Sequence, residues 1–184
     1  MTFVCVRFVD MRFLLPHFEG AMVMSKLIVA VSVILGLGGA AFVADDAKYV
    51  KLVHTDTGKV LAVADNSDEN EAKAVLAKDD GSQGQQWKLE KDGEYYKIVN
   101  RKSGKVLDVQ NESTEEGGAI IQWEDKAEGN DNQRWSWEGK EKSRRLKSKS
   151  SGLVLDIGDE GAVVQRKADE KAKGQLWEVA PVKQ

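Results

Sequence analysis

Histidine and cysteine, the side chains that most often act as nucleophiles or metal ligands, are scarce in this chain of 184 residues. Its only cysteine is Cys5, and its two histidines are His17 and His54. The chain after Ala44 therefore offers no disulfide, no thiol nucleophile and no Cys/His zinc site. Carboxylates are numerous enough to supply a hydrolytic pair, but no Ser/His/Asp set accompanies them. We expect a protein without enzyme activity and without a cofactor.

Two charged segments have compositions that suggest charged ligands. The segment Asp65–Asn70 is rich in calcium-type ligands, but it lacks the alternating ligands and the glycine of an EF-hand loop. The segment Lys140–Lys149 is basic. Such runs usually form solvated hairpins, and contact with an acidic glycan or a phosphate is the alternative. We predict no metal site.

The charge balance argues against nucleic acid as a partner. The first 44 residues hold three basic and two acidic residues, which leaves 24 basic and 28 acidic residues of the total of 27 and 30. Binding to nucleic acid needs a positive field, and the part of the chain after Ala44 has a net charge near −4.

The N-terminal segment has the layout of a secretory signal peptide. A basic start, Met24-Ser-Lys26, precedes an apolar run from Leu27 to Ala41 that ends in small residues. We predict a signal peptide over residues 24–44, cleaved after Ala41 or Ala44. The protein is then expected to be secreted or periplasmic, with no stable membrane insertion after cleavage.

An uncleaved anchor is the alternative, because the apolar stretch approaches the ~20 residues that a membrane span needs. Three glycines, at positions 36, 38 and 39, argue against it. Residues 1–23 precede a complete signal. We therefore expect Met24 to be the true start and residues 1–23 to be a mistaken extension.

The rest of the chain is an internal repeat, and repeats are the strongest guide to a fold. A short apolar segment begins at Gly58, Gly104 and Gly152, at separations of 46 and 48 residues. A second apolar segment follows each of them, and a Gln-x-Trp motif closes each repeat. The second segments are Ala74–Ala77, Ala119–Gln122 and Ala162–Gln165, and the closing motifs are Gln85-Gln-Trp87, Gln133-Arg-Trp135 and Gln175-Leu-Trp177.

The repeats predict an all-β fold. Their apolar residues come in short runs with a period of two, bounded by turn-forming residues. In the middle repeat we predict strands over 95–101, 105–110, 119–124 and 134–138, which gives about twelve short strands in three repeats. The repeats are expected to close on one another around a pseudo-threefold axis, with the tryptophans of the three closing motifs in the core.

Three segments of the middle repeat, Tyr96–Val109, Gly118–Trp123 and Asn132–Trp135, together resemble a repeat of the ricin B-type lectins. The resemblance implies a β-trefoil over residues 45–184, with repeats at about 48–92, 94–138 and 142–181. It also implies non-catalytic binding of a glycan, as a polysaccharide or glycoconjugate. A β-trefoil used as a protein-interaction or inhibitory scaffold, with a residual lectin site, is the alternative. The sequence does not indicate the oligomeric state.

The resemblance also implies the site residues. In this family a sugar-binding repeat uses the aspartate of Leu-Asp-Val, a later aromatic residue and the Asn-Gln of the closing motif. In the middle repeat these are Asp108, Trp123, Asn132 and Gln133. The chemistry suits a sugar, because a carboxylate accepts hydrogen bonds from neighbouring hydroxyls, an indole covers the apolar face of a pyranose, and an amide both donates and accepts.

The other two repeats depart from this pattern. The first has Ala62, Lys78 and Gly84 at the corresponding places, so the carboxylate, aromatic ring and amide are all missing. The third keeps Asp156 but has Arg166 and Gly174. We therefore predict one competent site, in the middle repeat, and at most a vestigial one at Asp156.

Positions that carry the same residue in all three repeats are interpreted as structural. Gln85 and Gln175 match Gln133 in repeats that lack the sugar-binding set, which indicates a mainly structural role for this glutamine. Trp123 differs, because the alignment of the repeats places Lys78 and Arg166 at its equivalents. A position that accepts charged residues normally faces the solvent, so we expect Trp123 to be exposed. Strand alternation points Gln122 away from Trp123, so we do not expect Gln122 to reach a sugar.

Overall fold

The structure is a computed structural model and describes residues 49–140 and 143–182. The predicted signal peptide at 24–44 and the extension at 1–23 lie outside the described residues. The described part is all-β, as predicted, and its strands in the middle repeat agree with the predicted ones to within two residues at each end. The strands are β1 (Val50–His54), β2 (Val60–Val63), β3 (Ala74–Ala77), β4 (Trp87–Asp92), β5 (Tyr95–Asn100), β6 (Val106–Val109), β7 (Ile120–Trp123), β8 (Trp135–Lys140), β9 (Ser143–Ser148), β10 (Val154–Ile157), β11 (Val163–Arg166) and β12 (Trp177–Pro181).

A glycine turn joins the first two strands of each repeat. In the middle repeat, Gly104 has a φ of +70°, and its N–H donates to the carbonyl of Asn100 at 3.0 Å. Glycine adopts this left-handed conformation without the steric cost that other residues incur. Gly58 and Gly152 have φ values of +67° and +70° at the same place. The glycine that opens each recurring apolar segment therefore sets the turn before β2, β6 and β10.

Six strands form a closed antiparallel ring, in the order β1, β4, β5, β8, β9, β12 and back to β1. Closure leaves these strands without a free edge. Each repeat contributes its first and last strand to the ring.

The remaining six strands form three hairpins, β2–β3, β6–β7 and β10–β11. The hairpins meet through the bridges Lys73–Ile121, Val75–Ala162 and Ala119–Val164. One hairpin from each repeat thus takes part in a pseudo-threefold arrangement, which is the predicted β-trefoil.

The tryptophans of the closing motifs lie in the core, and Trp87, Trp135 and Trp177 are each at most 1% exposed. The indole N–H groups of Trp87 and Trp135 donate to the carbonyls of Leu61 and Leu107, both at 3.0 Å. Each of these two indoles therefore ties the last strand of its repeat to the second one while burying a large apolar surface. Within residues 49–140 and 143–182, no helix is long and apolar enough to cross a membrane.

Candidate functional site

A cavity of about 400 Å³ opens on the middle repeat, beside β6 and β7. Its volume lies in the range of small-molecule sites in proteins. Three of the residues predicted for the site, Asp108, Trp123 and Asn132, line this cavity. The other lining residues are Glu71, Gln110, Asn111, Glu112, Ile121 and Lys126.

Asp108 lies on β6, and its side chain is held by two amides. Its Oδ1 accepts a hydrogen bond from Asn132 Nδ2 at 2.9 Å, and its Oδ2 accepts one from Gln133 Nε2 at 2.8 Å. The residue is only 3% exposed. A carboxylate has about four acceptor positions. The two amides therefore fix the carboxylate and leave acceptor positions for a ligand.

Burial raises the pKa of the Asp108 carboxyl to about 6, against the lowering effects of the Gln133 hydrogen bond, the Lys126 charge and the Asn132 hydrogen bond. The carboxyl is therefore mostly ionised at pH 7 but takes up a proton in mildly acidic solution. Hydrogen bonds to an ionised acceptor are stronger than those to a neutral one. The site can thus offer hydroxyl groups a charged acceptor in a poorly hydrated environment.

A chain of hydrogen bonds fixes the orientation of the Asn132 amide. Its Nδ2 donates to the carbonyl of Val109 at 3.0 Å as well as to Asp108. Its Oδ1 accepts a bond of 3.3 Å from Lys126 Nζ, which also donates to Glu112 at 2.9 Å. The donor side of the amide therefore faces Asp108, and its acceptor side faces Lys126.

Trp123 is the last residue of β7 and is partly exposed. Ile121, two residues earlier, also lines the cavity and pairs with Asp108 across the strands. Residues two apart in a strand share a face. Trp123 and Ile121 thus give the cavity an apolar side next to the buried carboxylate.

Gln122 points the other way and is 1% exposed. Its side chain accepts from Ser103 Oγ at 2.7 Å and donates to the carbonyls of Ser67 and Glu69 at 3.1 and 2.8 Å. It is not among the residues that line the cavity, in line with the alternation expected from the sequence.

Gln133 does not line the cavity and supports it from behind. It is fully buried, donates to Asp108, and accepts a hydrogen bond from the backbone N–H of Lys126. The same glutamine binds the loop after the third strand in every repeat. The Nε2 atoms of Gln85, Gln133 and Gln175 donate to the carbonyls of Lys78, Glu124 and Lys167, respectively. The Oε1 atoms of the same three glutamines accept hydrogen bonds from the backbone N–H groups of Asp80, Lys126 and Asp169, respectively.

The strand register corrects one residue of the predicted alignment. Val106 pairs with Trp123 in the middle repeat, and the equivalent Val60 pairs with Ala77. Ala77, and not Lys78, therefore occupies the place of Trp123 in the first repeat. The expectation was wrong because Ala74 begins its strand, whereas Ala119 directly precedes β7.

The first repeat lacks the groups of the middle site. Its corresponding cavity, of about 250 Å³, has Ala62 and Ala77 where the middle repeat has Asp108 and Trp123. Asn66 Oδ1 accepts a hydrogen bond of 2.9 Å from the N–H of Gly84. A Cβ at position 84 would lie 2.4 Å from this oxygen, so the Asn66 side chain occupies the space that an asparagine at 84 would need.

In the third repeat, Asp156 is engaged by its own surroundings. Its Oδ2 accepts from Gln175 at 3.0 Å and lies 3.6 Å from Arg166 Nη1, while its Oδ1 accepts from the N–H of Ile157 at 2.7 Å. Arg166 stands at the place of Trp123. A Cβ at Gly174 would lie 2.4 Å from the carboxylate. The third repeat therefore has an ion pair between Arg166 and the buried Asp156 where the middle repeat has the indole of Trp123 and the amide of Asn132.

Several lining residues were not predicted from the sequence. Glu112 and Asn111 belong to a 3-10 turn after β6 with φ values of +54°, and Lys126 follows β7. The sequence showed that these residues lie in polar loops, but it did not show which side chains of the loops face the cavity. Glu71 comes from the first repeat, and only the contact between hairpins brings it to this cavity.

Trp137 and the basic segment lie elsewhere. Trp137 on β8 packs against the core, and the Arg144 guanidinium lies 4.2 Å from its ring centroid. Of the basic segment, Lys140 and Ser143–Ser148 pair within the β8–β9 hairpin. Among residues 49–140 and 143–182, no group of three His, Cys, Asp or Glu side chains is placed to hold a metal ion.

The chain matches the family model of a ricin-type β-trefoil lectin domain over residues 41–123. No curated protein matches it. Among solved structures it is similar to a designed threefold-symmetric protein, ThreeFoil, at 34% identity and a TM-score of 0.66. That match covers 72% of this chain and 97% of the designed one.

Two natural proteins are similar over part of their length. An exo-β-1,3-galactanase from Clostridium thermocellum matches at 37% identity and a TM-score of 0.68, over 75% of this chain and 31% of the enzyme. A Polyporus squamosus lectin, solved with the epitope Neu5Acα2-6Galβ1-4GlcNAc, matches at 22% identity and a TM-score of 0.64, over 72% of this chain and 48% of the lectin. The second match shows the fold alone.

Proposed function

Because this chain belongs to the ricin B-type lectin family, we propose that it binds carbohydrate without catalysis and that the sugar occupies the cavity of the middle repeat. One observation carries the proposal: Asp108, Trp123 and Asn132 line the same cavity, and the equivalent places of the other repeats hold groups that do not form such a set. The Clostridium enzyme that is similar over this domain acts on a β-1,3-galactan, which makes galactans a reasonable first class of ligand to test.

The geometry suits a pyranose ring. The Trp123 indole covers the apolar C–H face of the sugar, while the Asp108 carboxylate accepts hydrogen bonds from hydroxyls on its edge. Asn132 holds the carboxylate in place, and Lys126 is positioned to donate a further hydrogen bond to a ring substituent. The carboxylate oxygens, the indole and the ammonium group thus surround one opening.

A single open site gives weak binding to one sugar unit. A dissociation constant on the order of 0.1 to 1 mM corresponds to about 4 to 5.5 kcal/mol. Display of many copies of a glycan on a surface raises the effective affinity through multivalency. We therefore expect the ligand to be a polysaccharide or a densely glycosylated surface.

A glycan array tests the proposal with three variants of the purified protein. Trp123→Ala and Asp108→Asn are expected to abolish binding while the near-ultraviolet circular dichroism remains that of a folded protein. Arg166→Ala is the matched control, because it removes the side chain at the equivalent place in the third repeat and should leave binding intact. Undiminished binding by both middle-repeat variants would refute the site. An array without hits, together with a protein captured reproducibly by pull-down, would favour a protein-interaction scaffold.

We also propose that residues 24–44 direct export and are removed. The basic start at Met24 and the apolar run from Leu27 to Ala41 support this. N-terminal sequencing of the protein recovered from the periplasm or the culture medium should begin at Phe42 or Asp45. Recovery of the chain from the membrane fraction with the apolar run attached would support the anchor instead.

A further inference from the structure

The cavity of the middle repeat is built by two repeats. Glu71 belongs to the loop between β2 and β3 of the first repeat, yet it lines the cavity together with Asp108 and Trp123. Neither the repeat pattern nor the closing motif points to this residue. Its place in the cavity follows from the packing of one hairpin against the next.

Backbone and side-chain bonds from Gln122 hold the Glu71 loop on the middle repeat. The Gln122 amide donates to the carbonyls of Ser67 and Glu69, and the Gln122 carbonyl accepts from the N–H of Glu71 at 3.0 Å. The N–H of Gln122 donates to the carbonyl of Ala72 at 2.9 Å. Glu71 has a φ of +65°, a conformation that a non-glycine residue keeps only where its surroundings impose it. The position of Glu71 is thus fixed by the buried side of β7.

The charges around the cavity are unevenly compensated. Lys126 is the only cation among the lining residues, and its ammonium group donates to Glu112 at 2.9 Å and to Asn132 at 3.3 Å. Glu71 is exposed, and its carboxylate has no ion pair or hydrogen bond with any residue in 49–140 and 143–182. The lining residues thus include three carboxylates, Glu71, Asp108 and Glu112, and one cation, Lys126, so the net charge of the lining is negative.

We propose that Glu71 determines specificity at this site by excluding sugars that carry a carboxylate, so that the site takes neutral sugars and amino sugars. The inference rests on the proposed function of the cavity. An anionic sugar would lose part of its hydration and meet like charges, whereas a neutral hydroxyl or an ammonium group finds acceptors. Because Glu71 is exposed, solvent screens its field, and we expect its charge to change relative affinity by a factor of about three to ten.

Matched sugars on one array test the inference. The probes are galactose with galacturonic acid and galactosamine, and glucose with glucuronic acid and glucosamine, all displayed at equal density. The wild type should bind a neutral sugar at least about tenfold better than its acid, and the amino sugar at least as well as the neutral one. Glu71→Gln should raise the ratio of acid to neutral binding by about three- to tenfold.

Glu69→Gln is the matched control. It makes the same change of charge in the same loop, but Glu69 does not line the cavity. Its acid-to-neutral ratio should equal that of the wild type. The difference between wild type and Glu71→Gln should also shrink in about 0.5 M salt, where the Debye length falls to about 4 Å.

Three results would overturn the assignment: equal or better binding of the acid by the wild type, an unchanged ratio in Glu71→Gln, or the same change in Glu69→Gln. Failure to bind any neutral or amino sugar on the array would count against the sugar site itself, and this inference would fall with it. Binding of neutral sugars with an acid-to-neutral ratio that does not depend on Glu71 would refute the inference and leave the proposed function intact.

Discussion

Replacing Asp108 by asparagine should remove a pH dependence from the stability of the protein, and in the wild type stability and glycan binding should change with pH in opposite directions. Burial raises the pKa of this carboxyl from 3.8 to about 6 in the folded chain. The folded state therefore holds the proton more tightly than the unfolded state. Between pH 3.8 and 6, stability contributed by this group falls as the pH rises, because the folded chain must ionise a buried group.

The size of the effect follows from the shift. Each pKa unit corresponds to about 1.36 kcal/mol, so a shift of about two units makes the ionised group destabilising by on the order of 3 kcal/mol above pH 6. The amide that replaces the carboxyl in Asp108→Asn does not ionise. The difference in unfolding free energy, variant minus wild type, should therefore increase by about this amount between pH 4 and pH 7. Any hydrogen bonds that the new amide rearranges add an offset that does not depend on pH.

Urea denaturation followed by tryptophan fluorescence, in steps of about half a pH unit from roughly 4 to 7.5, measures this difference. Glycan binding by the wild type should weaken in the opposite sense, by up to about tenfold per pH unit below about pH 6, because a protonated carboxyl accepts fewer hydrogen bonds. A difference in stability that stays flat across this range would show that Asp108 is hydrated in solution. A desolvated, amide-bound carboxylate would then be the wrong description of the site.

Two further predictions test the framework of the fold with three variants. Gln122→Leu introduces the residue that the first repeat has at the equivalent position, Leu76. It should lower the free energy of unfolding by roughly 2 to 4 kcal/mol, because the carbonyls of Ser67 and Glu69 lose their side-chain donor. A loss below about 1 kcal/mol in urea denaturation would contradict these hydrogen bonds. Gly139→Ala should lower the free energy of unfolding by roughly 2 to 3 kcal/mol, and Gly93→Ala by only about 1 kcal/mol. Both glycines have a positive φ, but of the two only a Cβ at position 139 would meet a backbone oxygen, at 2.9 Å. Equal shifts in the thermal midpoint of the two variants would contradict the packing at position 139.

The sequence was a good guide to the fold because its signal recurs. Each repeat has the same glycine turn, the same paired apolar segments and the same closing tryptophan, so an error in one copy is corrected by the others. The middle-repeat strands predicted at 105–110 and 119–124 correspond to Val106–Val109 and Ile120–Trp123. The tryptophans of the three closing motifs were an equally direct signal, because burying a ring of this size contributes strongly to the core, and all three are buried.

The site was predicted less completely, for two physical reasons. The residue equivalent to Trp123 depends on strand register, and a loop that differs by one residue moves the alignment from Ala77 to Lys78. The contact that brings Glu71 to the cavity joins two different repeats, and no motif in the sequence marks it. Glu71 lies 37 residues before Asp108 and reaches its cavity through the contacts of its loop with β7, among them the bridge between Lys73 and Ile121 and the hydrogen bond from the Glu71 N–H to the Gln122 carbonyl. Gln133, which the family pattern places in the sugar site but which its recurrence in all three repeats indicates to be mainly structural, lies behind Asp108, and its amide also binds the loop after β7.

The most direct test of the central claim is a crystal structure of the protein with a glycan identified on the array. We predict one sugar per chain, with its apolar face on the Trp123 indole and its hydroxyls within hydrogen-bond distance of Asp108. The first and third repeats should bind none, because Ala62 and Ala77 replace the binding groups in one and the Arg166–Asp156 pair occupies the other. A sugar bound at the first or third repeat while the middle cavity stays empty would contradict the account.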